Sequence, residues 1–277
     1  SGLGGRVVQV AGGIAHTCVL MDGGNVRCWG SDFHGQLGRD WQDHQASPST
    51  VTGVTGVVSL AAGEGHACSL STGGQLQCWG ANRYGQLGDG TRTERVGPAA
   101  VAGMDESVAQ VSCSGDSCCA RLASGAVKCW GDNYNGQLGT GDVDDRSVPA
   151  AIRDPGGAVI DISMGGAGTC AVLESGEVMY WGRRDCDWLD ESGYCKYIDD
   201  LWLSNPWKVP GIDSVVSVAA GGGHACALLQ DGTVKCWARF TPSGEVCEGA
   251  GVAWPTTPIA VEGLSGGVAS IVSGGLH

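Results

Sequence analysis

Residues Cys18–Gly30, CVLMDGGNVRCWG, recur four more times along the chain: CSLSTGGQLQCWG from Cys68, CARLASGAVKCWG from Cys119, CAVLESGEVMYWG from Cys170 and CALLQDGTVKCWA from Cys226. The tryptophans that close these segments, Trp29, Trp79, Trp130, Trp181 and Trp237, are separated by 50, 51, 51 and 56 residues. Every copy carries glycine six positions after its first cysteine: Gly24, Gly74, Gly125, Gly176 and Gly232. Self-similarity at such a period marks a repeat architecture, each period being one supersecondary unit.

In the fifth copy, Gln230-Asp231-Gly232 fits a three-residue hairpin loop, a type I turn followed by glycine in the left-handed region. That loop sets Leu229 opposite Thr233, Leu228 opposite Val234 and Cys226 opposite Cys236. The loop-closing pair is hydrogen-bonded, so alternation puts the cysteines at a non-hydrogen-bonded pair, Cα atoms ~4.5 Å apart, within disulfide reach. The same arithmetic pairs Cys18 with Cys28, Cys68 with Cys78 and Cys119 with Cys129. Zinc is the rival, but no C-x-x-C is present and the pairs belong to separate repeats, so four thiolates are not expected to converge on one ion. Val26, Leu76, Val127, Val178 and Val234 share the cysteine face and turn it to the core, with Arg121 breaking the pattern. In the fourth copy Tyr180 replaces the second cysteine. Cys113 with Cys118 and Cys186 with Cys195 close local loops, which leaves Cys170 for Cys247 by elimination.

A strand precedes each hairpin. Val10, Leu60, Val111, Ile162, Val218 and Ile271 are apolar, whereas the preceding Gln9, Ser59, Gln110, Asp161, Ser217 and Ser270 are polar, the alternation of a half-buried strand. His277 aligns with His16, so the 277 residues hold five periods plus one strand, and a longer polypeptide is expected around this segment. Gly, at 49 residues, suits many tight turns, and only two Phe and five Tyr are present. Sixteen Lys and Arg stand against 29 Asp and Glu, a net charge of −13 without a basic cluster, which makes nucleic acid and anionic membrane poor partners. No apolar run reaches the ~18 residues of a membrane helix, so no membrane insertion is expected. Fourteen cysteines, several at one spacing, point to the secretory pathway and an extracellular or cell-surface location.

Strand, Gly, His-x-Cys, hairpin and Trp-Gly are followed by Gly-Gln-Leu-Gly at Gly35–Gly38, Gly85–Gly88 and Gly136–Gly139. This combination resembles the repeat of the regulator of chromosome condensation family over essentially the whole chain. The resemblance implies an all-β fold, a β-propeller of four-stranded blades. Such rings typically have seven blades, of which residues 1–277 form a single propeller region with five repeats and a strand. The fourth and fifth copies lack Gly-Gln-Leu-Gly. The family's founding nuclear member is a nucleotide-exchange factor on chromatin with a basic tail; this acidic, cysteine-rich chain is not expected to share that role. Secreted members with cysteine-paired blades are nearer in composition.

No nucleophile elbow, phosphate-binding glycine loop or zinc-protease helix is present, so the chain reads as no enzyme, with no cofactor and no metal. His16, His66 and His224 recur once per repeat and are expected to close the turn between the first two strands by hydrogen bonding. The insertion from Arg183 to Pro210 breaks the template and gathers Trp188, Tyr194, Tyr197, Trp202 and Trp207 among acidic residues. Aromatic residues on a loop supply contact area at low entropic cost, so this insertion is the expected partner contact. The resulting reading is a non-catalytic extracellular scaffold, a propeller module of a larger secreted or cell-surface protein or assembly. Its expected partner is a protein or further copies of itself. The alternative is a secreted propeller that binds or inhibits a protein or glycan.

Overall fold

The computed structural model describes residues 3–39, 44–166, 168–182, 188–189, 195–196, 203–238, 258–264 and 266–274. Among them the secondary structure is entirely β, in five four-stranded antiparallel sheets and one two-stranded ribbon. Each sheet is one blade of the propeller fold, and its strands pair in chain order. Blade 1 comprises Val7–Gly12, His16–Met21, Val26–Ser31 and His44–Thr50. Blade 2 comprises Val57–Ala62, His66–Ser71, Leu76–Gly80 and Arg95–Ala100. Blade 3 comprises Val108–Ser114, Ser117–Leu122, Val127–Gly131 and Arg146–Ala151. Blade 4 comprises Val159–Met164, Gly168–Leu173, Val178–Gly182 and Leu203–Lys208. Blade 5 comprises Val215–Ala220, His224–Leu229, Val234–Ala238 and a short outer strand, Ile259–Ala260. The contacts divide the chain into two compact units, residues 1–133 with 144–151, and residues 134–143 with 152–277.

The hairpin register matches the sequence arithmetic. Cys226 faces Cys236 and Leu228 faces Val234, Leu229 N–H donates to the Thr233 carbonyl, and Gly232 has φ of 79°. Cys18–Cys28, Cys68–Cys78, Cys119–Cys129 and Cys226–Cys236 are disulfides with Cα separations of 4.0–4.2 Å. Cys113–Cys118, across the first hairpin of blade 3, is a fifth. Val26, Leu76, Val127 and Val234 are buried beside these pairs, and Val178 beside Cys170. Arg121, half-buried, donates from Nε to Gln110 Oε1 at 3.3 Å across the same sheet.

Within each unit, blades pack through the first strand of one against the hairpin of the one before. Val57 and Leu60 join Cys18, Leu20 and Val26 in one cluster; Val108 and Val111 join Cys68, Leu70 and Leu76 in the next. In the second unit Val215 and Val218 pack on Cys170, Val172 and Val178. Val10, at the corresponding position of blade 1, is 63% exposed. The polar residues of these strands do not simply face solvent. Gln9 donates from Nε2 to the Leu60 carbonyl and accepts from the Leu60 N–H, both at 2.9 Å, and Asp161 Oδ2 accepts from Val218 N–H at 2.9 Å. They substitute side-chain amide and carboxylate groups for a sheet ladder between blades.

Residues 268–274, around Ile271, where a sixth strand is expected, form no strand. Val268 and Ile271 instead pack on Leu228, Val234 and Cys236, and Val268 N–H reaches the Gly232 carbonyl.

Candidate functional site

The Gly-Gln-Leu-Gly segments lie between the third and fourth strands of blades 1, 2 and 3. Leu37, Leu87 and Leu138 are fully buried, held by a turn that starts at Asp32, Asn82 or Asn133. Leu37 N–H donates to Asp32 Oδ1 and Leu87 N–H to Asn82 Oδ1. Trp79 Nε1 donates to the Gln36 carbonyl at 3.0 Å, and Trp130 Nε1 to the Gln86 carbonyl at 2.9 Å. A Cβ on Gly38 would lie 3.0 Å from Trp79 Nε1, one on Gly88 2.9 Å from Trp130 Nε1, and one on Gly139 2.7 Å from Trp181 Nε1. Only glycine allows this approach, and its φ of 65–68° is also the left-handed region. Burial of each tryptophan follows the tetrapeptide before it: Trp79, Trp130 and Trp181 are fully buried, whereas Trp29 and Trp237, with none before them, are only partly covered.

The same turns expose their tips. Phe33 is 61% and Tyr134 70% exposed, one residue past the turn-starting Asp32 and Asn133. In blade 2 that position is Arg83, whose guanidinium lies 5.6 Å from the Tyr84 ring centroid. Beside Phe33, His34 Nδ1 pairs with Glu94 at 2.7 Å. Sequence reasoning overlooked this position because it varies among Phe, Arg and Tyr; the constant tetrapeptide two residues later is the signal that locates it.

Of the expected partner contacts, Trp207 is 43% exposed on the outer strand of blade 4, opposite Tyr180. Trp188 pairs with Lys196 in the two-stranded ribbon, and Leu189 with Cys195. Tyr194, Tyr197 and Trp202, the side chain of Trp188 and the Cys186–Cys195 pairing lie outside the described residues.

The Cys170–Cys247 pairing is corrected: Cys170 is a free, fully buried thiol. It lies at the centre of the blade 4 hairpin facing Tyr180, packed with Val172 and Val178. Burial pushes its thiol up to about 12. Cys247 lies outside the described residues. Tyr180 fits because Gly168 replaces the recurrent histidine: a Cβ there would meet the Tyr180 hydroxyl at 2.2 Å.

The recurrent histidines do not close their turns through the ring either. Backbone does so: Gly13, Gly63 and Gly221 N–H donate to the carbonyls of His16, His66 and His224. The rings instead point toward the following repeat. His224 Nε2 meets Ser273 Oγ at 2.8 Å, and fully buried His66 places Nε2 3.0 Å from Cys118 Sγ. Neither ring nitrogen of buried His16 has a hydrogen-bonding partner. Burial lowers the pKa of His16 to about 4, partly offset by the nearby backbone of Glu64 and His66. Burial, then repulsion from His16, lowers that of His66 to about 3.

The repeat described as Regulator of chromosome condensation (RCC1) repeat matches residues 23–70, 73–121 and 124–172, and a second form of it matches 7–36, 57–86, 108–137 and 215–237. The Arabidopsis thaliana ultraviolet-B receptor UVR8 is 31% identical over 277 residues, covering 98% of this chain and 61% of the receptor. The crystal structure of human WBSCR16 superposes with a TM-score of 0.81 at 26% identity, covering 98% of this chain and 70% of that one. Yeast RCC1 (Prp20), in its structure bound to Kap60, gives a TM-score of 0.76 at 22% identity, covering 98% and 66%. The chain thus spans less than two thirds of the length of the receptor.

Proposed function

The chain belongs to the regulator of chromosome condensation repeat family, and from that premise we propose that it is a non-catalytic protein-interaction module of a larger extracellular or cell-surface protein. The observation that carries the reading is the five disulfides among the described residues, four at one register in four blades. Disulfides of this density belong to an oxidising compartment. They close the hairpins whose other faces are committed to neighbouring blades, so a partner is met by loops and rims. Yeast RCC1 is a propeller of this family solved with a protein, Kap60, bound to it, which supports a protein partner here.

The contact residues of this module are the exposed turn tips Phe33, Arg83 and Tyr134 and the aromatic insertion with Trp207. Cross-linking mass spectrometry on the native protein, followed by Phe33→Ala, Tyr134→Ala and Trp207→Ala, tests this. Partner cross-links are expected within residues 31–35, 81–85, 132–136 or 183–210, with affinity falling about thirtyfold for an anchor worth ~2 kcal/mol. Cross-links confined to other segments, or unchanged affinity in all three variants, would refute it.

A further inference from the structure

Among the described residues, blade 3 alone carries a second disulfide, Cys113–Cys118, and it lies against blade 2. Cys113 Sγ is 3.7 Å and Cys118 Sγ 3.8 Å from Cys68 Sγ, while His66 Nε2 is 3.0 Å from Cys118 Sγ. The four ligand atoms all fall within 4.8 Å of one another. We propose that His66, Cys68, Cys113 and Cys118 form a redox-gated zinc site, empty while the Cys68–Cys78 and Cys113–Cys118 disulfides stand and filled once both are reduced.

The geometry carries this. A tetrahedral zinc with bonds to sulfur of ~2.3 Å has sulfur–sulfur edges of about 3.8 Å. Two of the three such edges already have that length, and the third, Cys113 to Cys118, opens when their bond is cleaved. His66, Cys68 and Cys118 are fully buried and Cys113 partly so, the closed setting of a structural zinc. His66, like His16, lacks the good partners that buried imidazole nitrogens ordinarily have. Its Nδ1 has none and its Nε2 meets only a disulfide sulfur, a weak acceptor. The neighbouring pair of blades shows the contrast: His16 and Cys18 repeat His66 and Cys68, but the positions of Cys113 and Cys118 are there Ala62 and Ala67.

Each disulfide takes two electrons and two protons from one dithiol reductant, which leaves as its own disulfide, so two reductant molecules give four thiols. Zinc then displaces the protons of Cys68, Cys113 and Cys118 and takes the lone pair of neutral His66 Nε2; Cys78 stays a thiol. Two links within single blades are thereby exchanged for one clamp between blades 2 and 3. This inference is independent of the partner reading above.

Cobalt(II) titration of the whole chain, after anaerobic reduction with a water-soluble phosphine, tests it. The reduced chain should bind one equivalent with the visible bands of tetrahedral thiolate cobalt, displaced by zinc, whereas the oxidised chain should bind none. Cys113→Ser and His66→Ala should each weaken binding at least tenfold, while Cys28→Ser, in blade 1, should leave it unchanged. Circular dichroism accompanies each step; if reduction loosens the β structure, one equivalent of zinc should restore it. Absence of the tetrahedral spectrum, failure of that restoration, or a Cys113→Ser titration like that of the unsubstituted chain would overturn the proposal.

Discussion

At the residue scale the recurrent histidine gives the sharpest physical consequence. His16 is neutral when folded, its pKa lowered by burial from 6.5 to about 4. Above pH 6.5 the ring is neutral in both folded and unfolded chains and contributes nothing to pH dependence. As pH falls below 6.5 the unfolded chain takes up a proton that the native chain refuses, so stability drops by up to about 1.4 kcal/mol per pH unit, levelling off near pH 4. His66 acts in the same sense down to about pH 3. His16→Leu removes a buried ring and should lessen the fall of the denaturation midpoint between pH 6.5 and 4.5, measured in the oxidised chain, leaving the part due to His66. An unchanged slope would show that His16 is protonated or solvated in the fold. The sequence showed that this residue recurs, but not where its ring points. Its neighbours come from the following repeat, about 50 residues away, and differ from blade to blade: Cys118 for His66, Ser273 for His224.

At the element scale the hairpin was fully legible, because loop length, a left-handed glycine and strand alternation are all local and together fix the register. Breaking one staple tests the assignment: a disulfide closing so short a loop is worth ~2–3 kcal/mol. Cys226→Ser with Cys236→Ser should cost about that much, and the same loss should not follow from Cys170→Ala beyond the volume of one small buried side chain. The link between blades was half legible. The Gly-Gln-Leu-Gly motif carried the family resemblance in the sequence, yet its role as a seat for the next tryptophan requires the packed structure. Gly88→Ala tests that role, since the new methyl meets Trp130 and the φ of 65° resists an L-residue. It should destabilise by at least ~1–2 kcal/mol and shift Trp130 emission to the red. The same substitution at Gly23, where a Cβ meets nothing within 4 Å and φ is 105°, should cost only the backbone part.

At the scale of the whole molecule the repeat count, the all-β class and the disulfide chemistry follow from period and composition. The irregular parts do not. Cys170 escaped pairing because Tyr180 and Gly168 changed together, a coupling across a strand pair that no local spacing reveals. The last strand signal, around Ile271, reads correctly as an apolar alternation but stays unpaired, since a sheet edge is made by its partner as much as by its own residues. Blade 3 carries the extra cysteines that convert a structural position, occupied by alanine one repeat earlier, into a sulfur cluster.

The account rests on hairpins that are oxidised where the protein works. Thiol alkylation of the protein in its native source, followed by peptide mapping without reduction, tests this directly. Cys18–Cys28, Cys68–Cys78, Cys113–Cys118, Cys119–Cys129 and Cys226–Cys236 should be recovered as linked peptides, with Cys170 alkylated only after unfolding. Alkylated hairpin cysteines in the folded native protein would contradict the extracellular reading.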